Sequence, residues 1–311
     1  MQLIAHRGGS GLRVENTLAA FAHAIELGAA GAELDVHLSR DGEVIVHHDD
    51  TLNPAYCRRL DGDWITPDEA LPLAELTFAQ LQTYAIGTPR PGTDYARAFP
   101  RILPVADQRI PLLRDVIALA KARSDRFILV IEIKTPPLDA ARQPWRALVD
   151  ATLAIIDTEQ FAARTIVCSF DWGALRHVKQ QRPALATWYT SVPLSWFRDG
   201  TPPPADIPPD AAELLAWRHA RAAGDAPWCA GFDPRHYGGD HTAAVAAAGG
   251  QAWFPFHRDF TPDTARELAR FGLDSAVWSF NLRDPVEIAR LDAAGADYLV
   301  TDYPDPGTHH G

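Results

Sequence analysis

The stretch GAELDVHLSRDGEVIVHHD at residues 31–49 places Asp41-Gly42 between two runs with strand-like alternation. Asp-Gly flanked by alternating apolar residues is a strong hairpin signal, because the turn needs positive φ at its central residues. Residues 32–38 and 43–48 therefore read as an antiparallel hairpin. Side chains alternate with period two along a strand, so Glu33 and Asp35 share one face. The returning strand carries His47 and His48 back to the same end.

Working outward, a short apolar run QLIA (2–5) ends in His6-Arg7. Leu18, Phe21, Ala22 and Ile25 then recur at helical spacing, with Asn16 or Thr17 as N-cap and Gly28 as a helix-ending residue. Downstream, IPLLRDVIALAKA (110–122) reads as a helix and FILVIEIK (127–134) as a buried strand. Strand-like runs follow at TIVCSF, ATWYT, CAGF, QAWFPF, AVWSF and YLVTD. Helical patterns fall between most of them, including ALVDATLAIID, TAAVAAAGG, PDTARELARFG and PVEIARLDAAG. Strand–helix alternation over the whole chain means a parallel sheet. At least seven such strands in 311 residues favour a closed (β/α)8 barrel over an open sheet. No GxGxxG follows the first strand, which weakens a dinucleotide-binding reading. Whether CAGF and QAWFPF are both barrel strands stays open at this level.

The stretch between residues 53 and 110 departs from the scheme. It is rich in Pro, Arg and Asp, and only AELTFAQLQ (74–82) looks helical. It reads as an insertion or lid over 53–109 within one barrel domain spanning 1–311. A second proline-rich run, GTPPPADIPPDA (200–211), reads as a loop.

Bulk properties narrow the chemistry. Forty Asp and Glu against 29 Lys and Arg give a net charge of −11. Such a surface repels nucleic acid and anionic membranes, so a phosphate-bearing ligand requires a local cationic site. Cys57, Cys168 and Cys229 are far apart and lack CxxC spacing, so reduced thiols are expected. No apolar run reaches the roughly 20 residues that span a bilayer, and no signal-like segment precedes the first strand. A cytoplasmic protein without stable membrane insertion is the expectation.

In such a barrel the chemistry gathers at the C-terminal ends of the strands. Those ends carry His6 and Arg7, then Glu33, Asp35 and His48, then Glu132 and Lys134, then Ser169, Trp278, Asn281, Thr301 and Asp302. Three carboxylates with no cysteine form a hard-oxygen donor set, suited to Mg²⁺, Ca²⁺ or Mn²⁺ rather than zinc. Arg7 suits bidentate phosphate contact and Lys134 adds a second positive charge. His6 and His48 on different strands are a candidate acid–base pair. His37 shares the face of Asp35 but lies nearer the turn. His47 points to the other side and reads as structural. No GxSxG surrounds Ser169, so it reads as support rather than nucleophile. Trp145 and Trp217 read as packing.

With those residues in hand, the chain resembles the glycerophosphodiester phosphodiesterase family. The resemblance runs through HRGG (6–9), ENTLAAF (15–21), the hairpin stretch (31–49), DDTL (49–52), IPLL (110–113), IEIK (131–134), CSF (168–170), WSFN (278–281) and TDYP (301–304). It implies a TIM barrel that hydrolyses small-molecule glycerophosphodiesters to an alcohol and glycerol 3-phosphate, with Mg²⁺ or Ca²⁺ as cofactor. Carried over by position, Glu33, Asp35 and Glu132 are the metal ligands and His6 and His48 the acid–base pair. Arg7 and Lys134 contact phosphate, and Trp278 and Asn281 line the substrate cleft. Glu15 orients Arg7 or His6, or completes the metal shell. The chain departs from the family pattern at Val14, where proline usually precedes Glu-Asn-Thr, and at WSFN, usually Trp-Thr-Val-Asn. Two alternatives stand beside this reading. One is a lysophospholipase D-like or sphingomyelinase D-like enzyme acting on a lipid, for which WYTSVPLSWF (188–197) is the candidate apolar rim. The other is a non-catalytic binding barrel.

Overall fold

The computed structural model describes residues 1–135, 145–197, 211–224 and 226–305, the side chains of 211–213 excepted. The proline-rich run at 200–211, but for its last residue, lies outside the described residues, as does the terminal HHG. In chain order the strands are β1 (Gln2–Ala5), β2 (Gly31–Leu38), β3 (Val44–Val46), β4 (Arg58–Arg59), β5 (Tyr84–Ala85), β6 (Ile128–Ile133), β7 (Thr165–Ser169), β8 (Ala186–Thr190), β9 (Ala252–Phe254), β10 (Asp274–Trp278) and β11 (Tyr298–Thr301).

Eight of these close a ring. β1 pairs in parallel with β2 on one side and β11 on the other, and parallel pairing continues through β6, β7, β8, β9 and β10. The result is a (β/α)8 barrel. β3 hangs from β2 as the antiparallel arm of the hairpin, with Val36 opposite Val46 and Leu38 opposite Val44. Gly42 takes φ 82, the left-handed conformation the turn demands.

Alternation sorts each strand into two environments. On β2, Ala32, Leu34 and Val36 face the outer helices together with Leu129, Ile131 and Ile133 of β6. The barrel lumen below the site is filled by Ile4, Val130, Cys168, Trp188, Ala252, Phe254, Ala276 and Val300. Trp188 lies 5.3 Å from Phe254 and 5.2 Å from Tyr298, ring to ring. The lumen is a packed core, so only its upper end is open to chemistry.

Helix boundaries follow local capping. Thr17 caps the helix Leu18–Glu26, its hydroxyl accepting the Ala20 N–H at 3.1 Å. Asn16 sits before it at φ 55 and is used elsewhere. Asp171, Asp240 and Asp284 cap the helices Trp172–Gln181, His241–Ala248 and Pro285–Ala293. Among the described residues no helix is long and apolar enough to cross a membrane.

The open question between CAGF and QAWFPF resolves in favour of the latter. Residues 252–254 form β9, whereas Pro227–Cys229 is a 3-10 turn ended by Ala230 and Gly231, both at positive φ, which breaks any extended run. The helix expected over 74–82 shrinks to a turn at Leu73–Glu75 and a four-residue helix, Phe78–Leu81, capped by Thr77. The stretch between 53 and 110 carries the β4–β5 pair and its own apolar cluster. Tyr56, Cys57, Ile65, Leu73, Leu81, Ile86 and Phe99 pack there against Leu12, Val14, Ile45, Leu112 and Tyr303.

Candidate active site

After β1 the chain turns sharply through His6–Gly8, with Arg7 at φ 51 and Gly8 at φ 83. A Cβ at Gly8 would lie 2.8 Å from the Ala20 Cβ, so only glycine lets this turn seat against the first helix. The turn aims His6 and Arg7 across the mouth of the barrel, toward the ends of β2 and β6.

There Asp35 stands directly opposite Glu132 in the β2–β6 register. Glu33, Asp35 and Glu132 each place a carboxylate oxygen within 4.8 Å of the others. Glu33 is 2% exposed and Asp35 1%. The Glu33 Oε2 accepts the Arg7 backbone N–H at 3.0 Å, but its buried Oε1 has no hydrogen-bond partner. Asp35 accepts from the Asn16 amide at 2.8 Å and lies 3.5 Å from the Lys134 ammonium. Lys134 also donates to Glu132 at 3.0 Å.

Burial drives the Glu33 carboxyl well above its ordinary range, and the charges of Asp35 and Glu132 push it further than Arg7 can offset. Burial likewise raises Glu132, against the pull of Lys134. Asp35 is instead lowered, because Lys134, His48, Arg7 and the Asn16 bond overcome its burial. The cluster thus holds more negative charge than its two fixed cations balance. A buried, unpartnered carboxylate oxygen beside two further carboxylates fits a divalent cation of the hard-oxygen type.

The two imidazoles flank this cluster, and each leans on a carboxylate. His6 Nδ1 lies 2.5 Å from Asp302, and its Nε2 is 3.9 Å from Glu33. His48 Nδ1 lies 2.9 Å from Asp49, which also accepts from Asn53 at 2.6 Å. Burial, with Arg7 and Lys134 nearby, pulls the His48 imidazole down to about 3. Arg7 donates to Glu15 at 3.1 Å, so among the alternatives for Glu15 the contact it makes is with Arg7. The Tyr56 hydroxyl reaches the same Glu15 oxygen at 3.4 Å, and the Tyr95 hydroxyl accepts the Glu15 N–H at 3.4 Å.

Above these groups opens a cavity of about 490 Å³. Its charged side carries His6, Arg7, Glu33, His48, Glu132 and Lys134. The opposite wall is Phe170, Thr190, Trp196, Phe254, Trp278, Phe280 and Val300. Trp278 stands on this wall. Asn281 sits just off the cavity, its side-chain oxygen accepting from Tyr303 at 3.2 Å, and Phe280 takes the place on the wall. His37 is turned away, its ring nitrogen 3.1 Å from the His48 carbonyl oxygen, and burial lowers it to about 4. His47 is fully buried against Tyr56. Ser169 donates to the Ile133 carbonyl at 2.9 Å and accepts the Asp171 N–H, a supporting position. Within WYTSVPLSWF, Trp188 and Tyr189 are fully buried and Trp196 faces the cavity, so this run forms no exposed rim.

A family model described as the glycerophosphoryl diester phosphodiesterase family matches residues 6–306. The chain belongs to that family. A glycerophosphodiester phosphodiesterase of Caldanaerobacter subterraneus subsp. tengcongensis is 33% identical over 183 residues, 59% of this chain and 63% of the relative. The human lysophospholipase D GDPD1 is 35% identical over 113 residues, 36% of this chain and 31% of the relative. The matched stretch thus spans less than two thirds of these curated relatives. A crystal structure from Silicibacter pomeroyi DSS-3, of a protein provisionally assigned as a glycerophosphoryl diester phosphodiesterase, is 29% identical. It covers 98% of this chain and 90% of that one, with a TM-score of 0.78.

Several residues of this phosphodiesterase-family site have no role at the site on sequence grounds. Asp302 stands among the strand-end residues there, but nothing local ties it to His6, 296 positions earlier. Asn16, Asp49, Tyr56 and Tyr95 reach the site through tertiary contacts. The Glu-Asn-Thr and His-Asp motifs contain the first two and are the signal that marks them.

Proposed function

We propose that this chain hydrolyses glycerophosphodiesters to an alcohol and glycerol 3-phosphate, with Mg²⁺ or Ca²⁺ held by Glu33, Asp35 and Glu132. The observation that carries this reading is the Glu33 oxygen, buried without a partner in a triad of carboxylates and ringed by Arg7, Lys134 and two histidines. Glu33, Asp35 and Glu132 would hold the ion, which would offset their charge and supply Lewis-acid polarisation of a phosphoryl oxygen. Arg7 and Lys134 face the same cavity and hold the remaining phosphate charge. His48, kept uncharged at neutral pH, enters able to accept a proton. The two imidazoles divide the proton transfers. One takes the proton of the attacking oxygen, from water or from the 2-hydroxyl of the substrate. The other returns a proton to the departing alkoxide.

The segment 53–109 belongs to this reading as an insertion in a single barrel domain. Its Tyr56 and Tyr95 hydroxyls meet Glu15, which supports a role in closing one side of the site. The apolar wall of Phe170, Trp196, Phe254, Trp278 and Phe280 favours one second reading, a lysophospholipase D-like reaction in which the lipid stays on the phosphate and the small head alcohol departs.

Purified protein assayed on glycerophosphocholine, glycerophosphoethanolamine, glycerophosphoglycerol and lysophosphatidylcholine, with EDTA and metal add-back, separates the two readings. Turnover of the water-soluble diesters, lost in EDTA and restored by Mg²⁺ or Ca²⁺, is expected. Preference for lysophosphatidylcholine selects the lipid reading. Activity untouched by EDTA removes the metal from both. His6→Ala and His48→Ala are each expected to lower turnover about 10²–10⁴-fold while remaining folded.

A further inference from the structure

Asp302 is the least exposed charged group of the site, and it pairs with one of the two site histidines. It is 0% exposed, one residue beyond β11, which pairs with the strand that delivers His6. Its Oδ1 meets His6 Nδ1 at 2.5 Å and accepts the Ser10 hydroxyl at 2.5 Å. Its Oδ2 accepts the Asn281 backbone N–H. Asn281 holds φ 50, a left-handed conformation that aims this N–H at the carboxylate. Three groups from two parts of the chain thus fix one buried side chain, and the imidazole is the only one of them on the cavity.

We propose that Asp302 is the positioning residue for His6, fixing the ring so that Nδ1 carries the proton toward Asp302 and Nε2 faces the reacting phosphodiester. This rests on the phosphodiesterase reading above. An ionised carboxylate can only accept, so the proton between the two groups resides on Nδ1 whenever the ring is neutral. The carboxyl is held below the usual Asp range in spite of its burial, by His6, Ser10 and the Asn281 N–H, which keeps it an acceptor. Nε2, 3.9 Å from Glu33, then exchanges protons with the substrate through one nitrogen in one orientation. Asp302 touches neither the cavity nor the carboxylate triad, and among its hydrogen-bond partners His6 is the one that lines the cavity.

A double-mutant cycle tests this on the full-length enzyme with glycerophosphocholine as probe. Asp302→Asn is expected to lower kcat about 10²–10⁴-fold with KM little changed, because the amide no longer dictates the tautomer. The same substitution in a His6→Ala background is expected to cost less than about threefold, since the group it positions is gone. An equal loss in both backgrounds overturns the proposal and makes Asp302 a general structural element. Should Asp302→Asn fail to fold, ¹⁵N spectra of the wild-type protein, labelled at histidine and assigned with His6→Gln, decide the matter. Neutral His6 protonated at Nδ1 and bare at Nε2 supports the proposal; the reverse tautomer overturns it. Absence of wild-type turnover would refute the phosphodiesterase reading, while the spectra still report on the Asp302–His6 pair.

Discussion

Replacing Glu33 with glutamine is expected to stabilise the metal-free protein and to remove most of the stabilisation that a divalent ion brings. In the metal-free state the carboxylate is 2% exposed, has one oxygen without a partner and faces Asp35 and Glu132. Its folded-state pKa is raised well above the ordinary value, chiefly by burial. For a carboxyl, that shift leaves stability intact below the unfolded-state value and erodes it as pH climbs toward the folded-state one. Glutamine cannot ionise and escapes the penalty. Its amide NH2 can donate to the Asp35 or Glu132 carboxylate beside it, and since a buried unsatisfied polar group costs about 1–3 kcal/mol, metal-free Glu33→Gln should be more stable by about that much at neutral pH. For 311 residues the unfolding entropy is about 0.65 kcal/mol/K, which makes the gain about 2–5 °C in Tm. Divalent ion at about 100 times its Kd should stabilise the wild type by about 2.7 kcal/mol, or about 4 °C. The variant has lost a charged ligand and should gain little. Scanning calorimetry at pH 7 in EDTA, followed by MgCl2 or CaCl2 titration, reads both effects, with turnover measured alongside. Equal metal-induced shifts in the two proteins would refute the assignment of Glu33 to the ion.

Asn16→Gly keeps the positive φ at that position but removes the amide that holds Asp35 at 2.8 Å. Metal affinity, read from the half-saturating concentration for activity, should fall about 10–100-fold, and an unchanged value would detach Asn16 from the site. Asp233 is fully buried and accepts from Arg235, Arg221 and the Ala226 N–H. Asp233→Ala should cost about 3–5 kcal/mol, a fall of about 5–8 °C in Tm. Burial opposes ionisation of Asp233, but Arg235 and the other donors lower its pKa overall. The difference between wild type and Asp233→Ala should therefore be full above the ordinary Asp range and shrink as pH drops below it; a gap that persists in acid contradicts this. Gly31 points into the barrel, where a Cβ would lie 2.5 Å from the Ile128 carbonyl oxygen. Gly31→Ala should destabilise by about 1–3 kcal/mol in urea unfolding, and a neutral result would mean β2 and β6 can separate locally.

What was legible in the sequence was what periodicity and turn chemistry encode. Asp41-Gly42 announced the hairpin, and period two put Glu33 and Asp35 on one face before any register was known. The alternation of Leu34 and Val36 with those carboxylates already separates lumen from helix-facing side. Illegible were elements shorter than the period that would reveal them. CAGF is four apolar-leaning residues, and its conversion to a turn depends on positive φ at Ala230 and Gly231. The stretch between 53 and 110 is a chain of three- to five-residue turns and helices held by a shared cluster, and no window within it repeats. Likewise Asp302 and Glu15 acquire their meaning only from partners brought in by ring closure and by the packing of Tyr56 and Tyr95. Asn281 shows the reverse case, where a motif residue holds a backbone N–H in place while its neighbour Phe280 meets the cavity.

The pairing of β1 with β11 has a consequence for how the protein is made. His6 leaves the ribosome 296 residues ahead of its carboxylate partner. At about 5–20 residues per second the histidine waits about 15–60 s for that partner. Until β11 has been made, the nascent chain holds most of the site residues without the strand that completes their arrangement. The barrel seam therefore ties completion of the His6 pair to the synthesis of β11.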